Sequence, residues 1–152
     1  MQTTGSDPRV TTGIAGLDAI LAGGLPTHRF FLVQGAPGSG KTTLAMQFLL
    51  EGKRRGESCL YVTLSESEDA IQGVARSHGW DLSGIKIFDL SVIEHHLSDE
   101  EENSLFTPAD VELKEALQPL LDEIEVHRPP RIAFDSLSEM RMLASTPLRY
   151  RQ

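Results

Sequence analysis

The sequence predicts an α/β fold in which a parallel sheet is flanked by helices, and three observations carry that prediction. Short apolar runs at 30–33, 59–64, 85–90 and 131–135 alternate with stretches whose apolar residues recur at helical spacing. A glycine-rich octapeptide, Gly35-Ala36-Pro37-Gly38-Ser39-Gly40-Lys41-Thr42, stands between the first run and the first helical stretch. The last run ends in a carboxylate, Asp135.

The elements follow in order. Phe30-Phe31-Leu32-Val33 reads as a buried parallel strand leading into the octapeptide. Leu44, Ala45, Phe48 and Leu49 then mark one face of a helix that runs up to glycines at 52 and 56. A second strand is expected over 59–64, a helix from about 66 to 77, and a third strand over 85–90. Residues 91–106 carry Asp99-Glu100-Glu101-Glu102 and few apolar positions, the pattern of an exposed connection. Thr107-Pro108 suits an N-cap and first helical residue, with Asp110 near the positive helix end. Leu113, Leu117, Leu120, Leu121 and Ile124 form the buried face of that helix, which Pro119 should kink or divide. Pro129-Pro130 ends it before the final strand, Arg131-Ile132-Ala133-Phe134-Asp135.

The octapeptide is a complete phosphate-binding loop: Gly, four free positions, then Gly-Lys and Ser or Thr. Its four fixed positions coincide by chance in fewer than ~1% of chains this long. Gly35, Gly38 and Gly40 let the backbone come close to a ligand, so that successive N–H groups form an anion-binding nest. The N-terminus of the next helix, from Lys41 through Thr42 and Thr43, adds its dipole. Lys41 supplies a point charge for the β- and γ-phosphates, and the Thr42 hydroxyl completes a Mg²⁺ shell. Residues 35–43, with Ala36, Pro37 and Ser39 supplying backbone, are therefore the candidate nucleoside triphosphate site. Asp135 at the end of an apolar strand is the candidate partner for a Mg²⁺-bound water, because parallel sheets bind ligands at the carboxyl ends of their strands.

The 152 residues, 39% hydrophobic and 24% charged, suffice for one soluble domain with a core. The single cysteine, Cys59, excludes an intramolecular disulfide and sits in an apolar run, as a small buried core residue does. There is no apolar stretch of membrane-spanning length and no signal-peptide profile, so a cytoplasmic protein is expected. A net charge of −8 argues against broad affinity for nucleic acid.

Further stretches carry a family resemblance. Thr12-Gly13-Ile14-Ala15-Gly16-Leu17-Asp18 and Gly23-Gly24-Leu25-Pro26 resemble the segment before the phosphate loop in KaiC-like ATPases, members of the RecA group that also includes RadA. Tyr61-Val62-Thr63-Leu64-Ser65-Glu66, Ala75-Arg76-Ser77-His78-Gly79-Trp80-Asp81-Leu82 and Phe134-Asp135-Ser136-Leu137-Ser138-Glu139 are similar to that family's stretches, in the same order. The resemblance covers about residues 10–150. It implies a P-loop NTPase fold with a RecA-like sheet, ATP and Mg²⁺ as ligands, and homo-oligomeric rings, hexamers among them, with ATP between subunits.

Two departures bear on activity. Family members with robust hydrolysis carry consecutive glutamates after the second strand, and here the matching pair is Ser65-Glu66. A serine cannot accept the water's proton as a carboxylate does, so Glu66 is the candidate base or water-positioning group and slow hydrolysis is expected. Its plainer reading is an acidic residue in the first turn of the next helix. The chain also stops at Gln152, before the later strand and the intersubunit basic residues that the resemblance implies. It is thus expected to be a C-terminally truncated domain, with little activity by itself.

Mg-ATP binding with slow hydrolysis, coupled to conformational change or ring assembly, is the leading expectation. The alternatives are a RadA-like DNA repair ATPase and an assembly module that holds ATP without hydrolysing it. His95-His96 read as solvated loop residues, Trp80 as a packing anchor rather than an adenine stack, and Glu139 and Arg141 as exposed charges.

Overall fold

The computed structural model describes residues 8–90 and 109–136, with side chains from 117 onward in the second span. In chain order the elements are β1 (Arg9–Val10), α1 (Ala15–Ile20), β2 (Leu25–Pro26), α2 (Lys41–Arg54), β3 (Cys59–Thr63), α3 (Glu68–Ser77), β4 (Ile85–Asp89), α4 (Ala109–His127) and β5 (Arg131–Asp135). β1 and β2 form a small antiparallel pair; the main sheet is parallel, in the order β4-β3-β5. Its register sets Thr63 opposite both Asp89 and Asp135, so all three strands finish at one edge.

β3 is buried along its whole length, as expected of a parallel strand covered on both faces. Its alternate side chains serve two cores. Cys59 and Tyr61 pack with Met46 and Leu49 of α2, Ile71 and Ala75 of α3, and Leu82 and Ile85. Leu60 and Val62 pack on the other face with Leu64, Leu90 and Leu120 of α4. The result is three layers, helices α2 and α3 on one side of the sheet and α4 on the other. Each fully buried aliphatic chain contributes about 1.5–3 kcal/mol against exposure.

Local chemistry explains the helix ends. α3 starts at Glu68 rather than 66, because the Ser67 hydroxyl accepts from Ala70 N at 3.4 Å and caps the helix there. α2 passes through Gly52 and stops at Gly56, whose φ of 76° is the left-handed C′ conformation. Gly56 N donates to Lys53 O (2.9 Å) and Glu57 N to Gly52 O (3.0 Å), the paired bonds of a Schellman ending. Gly52 serves packing instead, since a Cβ there would lie 2.5 Å from both Arg131 Cδ and Cys59 Sγ.

Three expectations are corrected. Residues 30–33 form no strand; Phe30 is fully exposed and Leu32 is 75% exposed. Burial of a parallel strand is conferred by its neighbours, and among the described residues β5 pairs only with β3, leaving its outer edge without a partner for this run. α4 is not divided at Pro119, which lies inside one continuous helix on its exposed side. Leu120 is buried and Leu117 and Ile124 pack beside it, whereas Leu121 is half exposed, on the edge of the stripe. The expected cap at Thr107-Pro108, the connection at 91–106 with His95-His96 and the acidic run at 99–102, and Glu139 and Arg141 lie outside the described residues, as do the side chains of Asp110 and Leu113.

Candidate phosphate and metal site

The octapeptide lies at the sheet edge where the strands end, and α2 springs from it. Gly38 and Gly40 take φ values of 76° and 87°, conformations that a side chain disfavours. Gly40 occupies the N-cap position of α2 and offers no side-chain cap, so the first N–H groups of a 14-residue helix face the loop. Ser39 N closes a turn onto Ala36 O at 3.2 Å. A Cβ on Gly35 would lie 2.5 Å from Ser39 Oγ, so in this chain a side chain there would displace the serine. Lys41 Nζ donates to Gly35 O (3.1 Å) and Ala36 O (3.0 Å), which holds its charge over the loop.

Thr42 leads out of the loop to the sheet. Its Oγ1 donates to Asp135 Oδ2 at 2.6 Å, across 93 residues of sequence. The Tyr61 hydroxyl donates to the same Oδ2, also at 2.6 Å. Tyr61 is 1% exposed, and its ionisation is pushed far up by burial first, then by the hydrogen bond and charge of Asp135 and the charge of Glu66. Its phenol therefore stays a neutral donor at any working pH. A hydroxyl and a carboxylate within hydrogen-bond distance are hard oxygen donors, and they suit Mg²⁺ held directly or through water.

Glu66 lies just beyond β3, exposed, in the bend before α3 rather than in its first turn. Thr63 Oγ1 donates to Glu66 O (2.7 Å) and accepts from Glu66 N (3.1 Å), which anchors the backbone of this residue at the strand-end edge. Its charge is felt at the Tyr61 hydroxyl that holds Asp135. The structure thus gathers the loop, Lys41, Thr42, Asp135 and Glu66 at one edge of the sheet.

A family model described as "ATPase: KaiC" matches residues 10–152. The chain belongs to the KaiC-like ATPase family. Similar proteins include a UPF0273 protein of Pyrobaculum aerophilum, 42% identical over 76 residues, which are 50% of this chain and 27% of that relative. The circadian clock protein KaiC3 of Synechocystis sp. is 43% identical over 81 residues, 53% of this chain and 16% of its own length. The circadian clock oscillator protein KaiC of Picosynechococcus sp. is 33% identical over 135 residues, 89% of this chain and 24% of its own length. The matching stretch thus spans less than a third of each of these relatives. Among the described residues no helix is long and apolar enough to cross a membrane.

The segment before the loop, part of the KaiC-like resemblance, buttresses α2. Asp18 Oδ1 accepts from Thr12 N (2.7 Å) and Thr12 Oγ1 (2.8 Å), which folds the segment onto itself. Thr11 Oγ1 donates to Glu51 Oε1 at 3.0 Å. Glu51 is 5% exposed and also receives Arg54 (2.7 Å) and Arg55 (2.6 Å). Hydrogen bonding from Arg55 foremost, then from Arg54 and Thr11, outweighs burial and draws its carboxyl down to about 2.

Arg131 is the residue that pattern reading missed most. Beginning an apolar strand, it has the sequence profile of an exposed strand end, yet it is 1% exposed. Its Nε donates to Glu57 Oε2 (2.5 Å), and its Nη1 to Thr11 O (2.6 Å) and Phe48 O (2.9 Å). Its guanidinium lies 4.7 Å from the centre of the Phe48 ring. One side chain ties β5, α2 and the lead-in together, and the bare surface of Gly52 is what admits it. Cys59 is buried, and burial pushes its thiol up, as befits an inert core cysteine. Trp80 stacks on His78 at 4.6 Å and packs against the α2 and α3 core, a packing anchor as expected.

Proposed function

We propose that the chain binds Mg-ATP on the loop 35–43 and that the intact protein hydrolyses it slowly, coupled to conformational change or ring assembly. The observation that carries this reading is the 2.6 Å contact of Thr42 with Asp135, which joins the loop to the end of β5. Backbone N–H groups of the loop and of the first turn of α2 would cradle the phosphates, and Lys41 would neutralise them. Thr42 and Asp135 would hold Mg²⁺, which when bound offsets charge on the β- and γ-phosphates. Glu66 would orient or deprotonate the attacking water, and Ser65 beside it cannot share that role.

Homo-oligomerisation through ATP and a cytoplasmic location belong to the same reading. The net charge of −8 favours a regulatory ATPase over a DNA-driven one. Among the described residues β5 pairs with β3 alone and residues 30–33 are exposed, which supports the reading of a sheet that takes a further strand on that side. Lys41→Ala is expected to lose Mg-ATP binding in calorimetric titration while its thermal melt matches the parent. Unchanged affinity for ATP would remove the proposal.

A further inference from the structure

Two donors converge on one oxygen of Asp135, and they differ in what else they serve. Thr42 Oγ1 and Tyr61 Oη each stand 2.6 Å from Oδ2. Thr42 can turn a lone pair to the metal, as the proposed function requires, and keep its proton on Asp135, so its hydroxyl would be shared between two partners. The Tyr61 hydroxyl is committed to Asp135 alone. Its ring is enclosed by Met46 and Leu49 of α2 and Ile71 and Ala75 of α3, and it springs from the central strand of the sheet. Two residues along β5 from Asp135, Ala133 is its register partner. The small alanine side chain leaves room on that face of the sheet for the phenol to reach along β5 to the carboxylate.

We infer that Tyr61 is the positioning residue of the metal site: its hydroxyl holds the Asp135 carboxylate in one orientation beside Thr42. The inference rests on the Mg-ATP reading. Tyr61 touches neither nucleotide nor metal; it sets the rotamer of the group that does. Outer partners of metal-ligating groups typically change metal affinity by 10- to 100-fold when removed, and a buried ring on a central strand is a rigid support for such a donor.

The test is a Mg²⁺ titration of the full chain at fixed concentration of a fluorescent ATP analogue, comparing the parent with Tyr61→Phe. The half-saturating Mg²⁺ concentration should rise roughly 10-fold in Tyr61→Phe. Binding of the analogue in EDTA should be the same in both proteins, and saturating Mg²⁺ should restore the parent signal. A lowered melting temperature with an unmoved Mg²⁺ midpoint would make Tyr61 purely structural and overturn the inference, as would tighter Mg²⁺ binding. A parent that binds no nucleotide with or without Mg²⁺ would instead remove the underlying reading.

A second measurement leaves Tyr61 in place. The chain has two tyrosines, so 3-fluorotyrosine in a Tyr150→Phe background labels Tyr61 alone. Its fluorine resonance should move when Mg²⁺ is added to the complex with a non-hydrolysable ATP analogue, and should stay put in Asp135→Asn. A resonance indifferent to Mg²⁺ in the chain that retains Asp135 would overturn the inference whatever the fate of Tyr61→Phe.

Discussion

Replacing Arg131 by methionine should cost the chain about 3–5 kcal/mol of folding stability, and the structure shows where each part arises. Methionine keeps most of the alkyl volume beside Gly52 and Phe48, so the cavity contribution is small. The carbonyls of Thr11 and Phe48 lose their donor, at about 1–3 kcal/mol each where water cannot replace it. Breaking a fully buried ion pair costs about 3–5 kcal/mol, but the Glu57 side chain is 31% exposed and regains water, so that penalty applies only in part. The contact with the Phe48 ring adds about 0.5–2 kcal/mol. Overlap among these effects keeps the total near the stated range. For a chain of this size the loss corresponds to a melting point lower by about 6–20 °C. Urea unfolding followed by circular dichroism reads it as a lower midpoint at unchanged slope, with the exposed Arg76→Met as a control. Arg131→Lys should recover little, since a lysine cannot serve three acceptors in one fork. A loss below about 1 kcal/mol, no larger than the control, would refute the claim that this side chain ties the lead-in, α2 and β5 together.

The remaining predictions concern charge and chemistry. The Glu51 carboxyl is held near 2, below its ordinary 4.5, so its contribution to stability is fully present above pH 4.5 and is lost as pH falls toward 2. The stability gap between the parent and Glu51→Gln should therefore narrow across that window, and a constant gap in acid denaturation would show that the ion pairs with Arg54 and Arg55 carry no linkage. Glu66→Gln should lower ATP turnover of the full-length protein by ~10²-fold or more while leaving ATP affinity in place. Undiminished phosphate release from that variant would assign the water to another group.

Much of the architecture is legible because β3, β4 and β5 are short, predominantly apolar segments and the helical stretches show apolar residues at regular spacing. The phosphate loop is legible because its chemistry depends on backbone conformation, which the glycines declare. Residues 30–33 show the limit of that reasoning: the same apolar composition marks a buried strand only where neighbouring strands exist to bury it. Gly52 and Gly56 look alike in sequence, yet one ends α2 by its positive φ and the other stays inside the helix to admit Arg131. Arg131, Glu51 and Tyr61 were hidden for a shared reason. Their partners lie at separations such as 120 residues for Thr11, 40 for Thr11 with Glu51 and 74 for Asp135, distances at which spacing rules are silent. Asp135, by contrast, is announced by its place at the end of a strand, and the structure puts it against Thr42.

The most direct test of the account is calorimetric titration of ATP into the chain with Mg²⁺, with EDTA, and with Mg²⁺ after Asp135→Asn. Saturable binding that weakens on chelation, and a variant whose affinity in Mg²⁺ falls to the parent's value in EDTA, is the expected result. Binding indifferent to both chelation and Asp135→Asn, or no binding of ATP at all, would contradict the claim that loop 35–43, Thr42 and Asp135 form one Mg-ATP site.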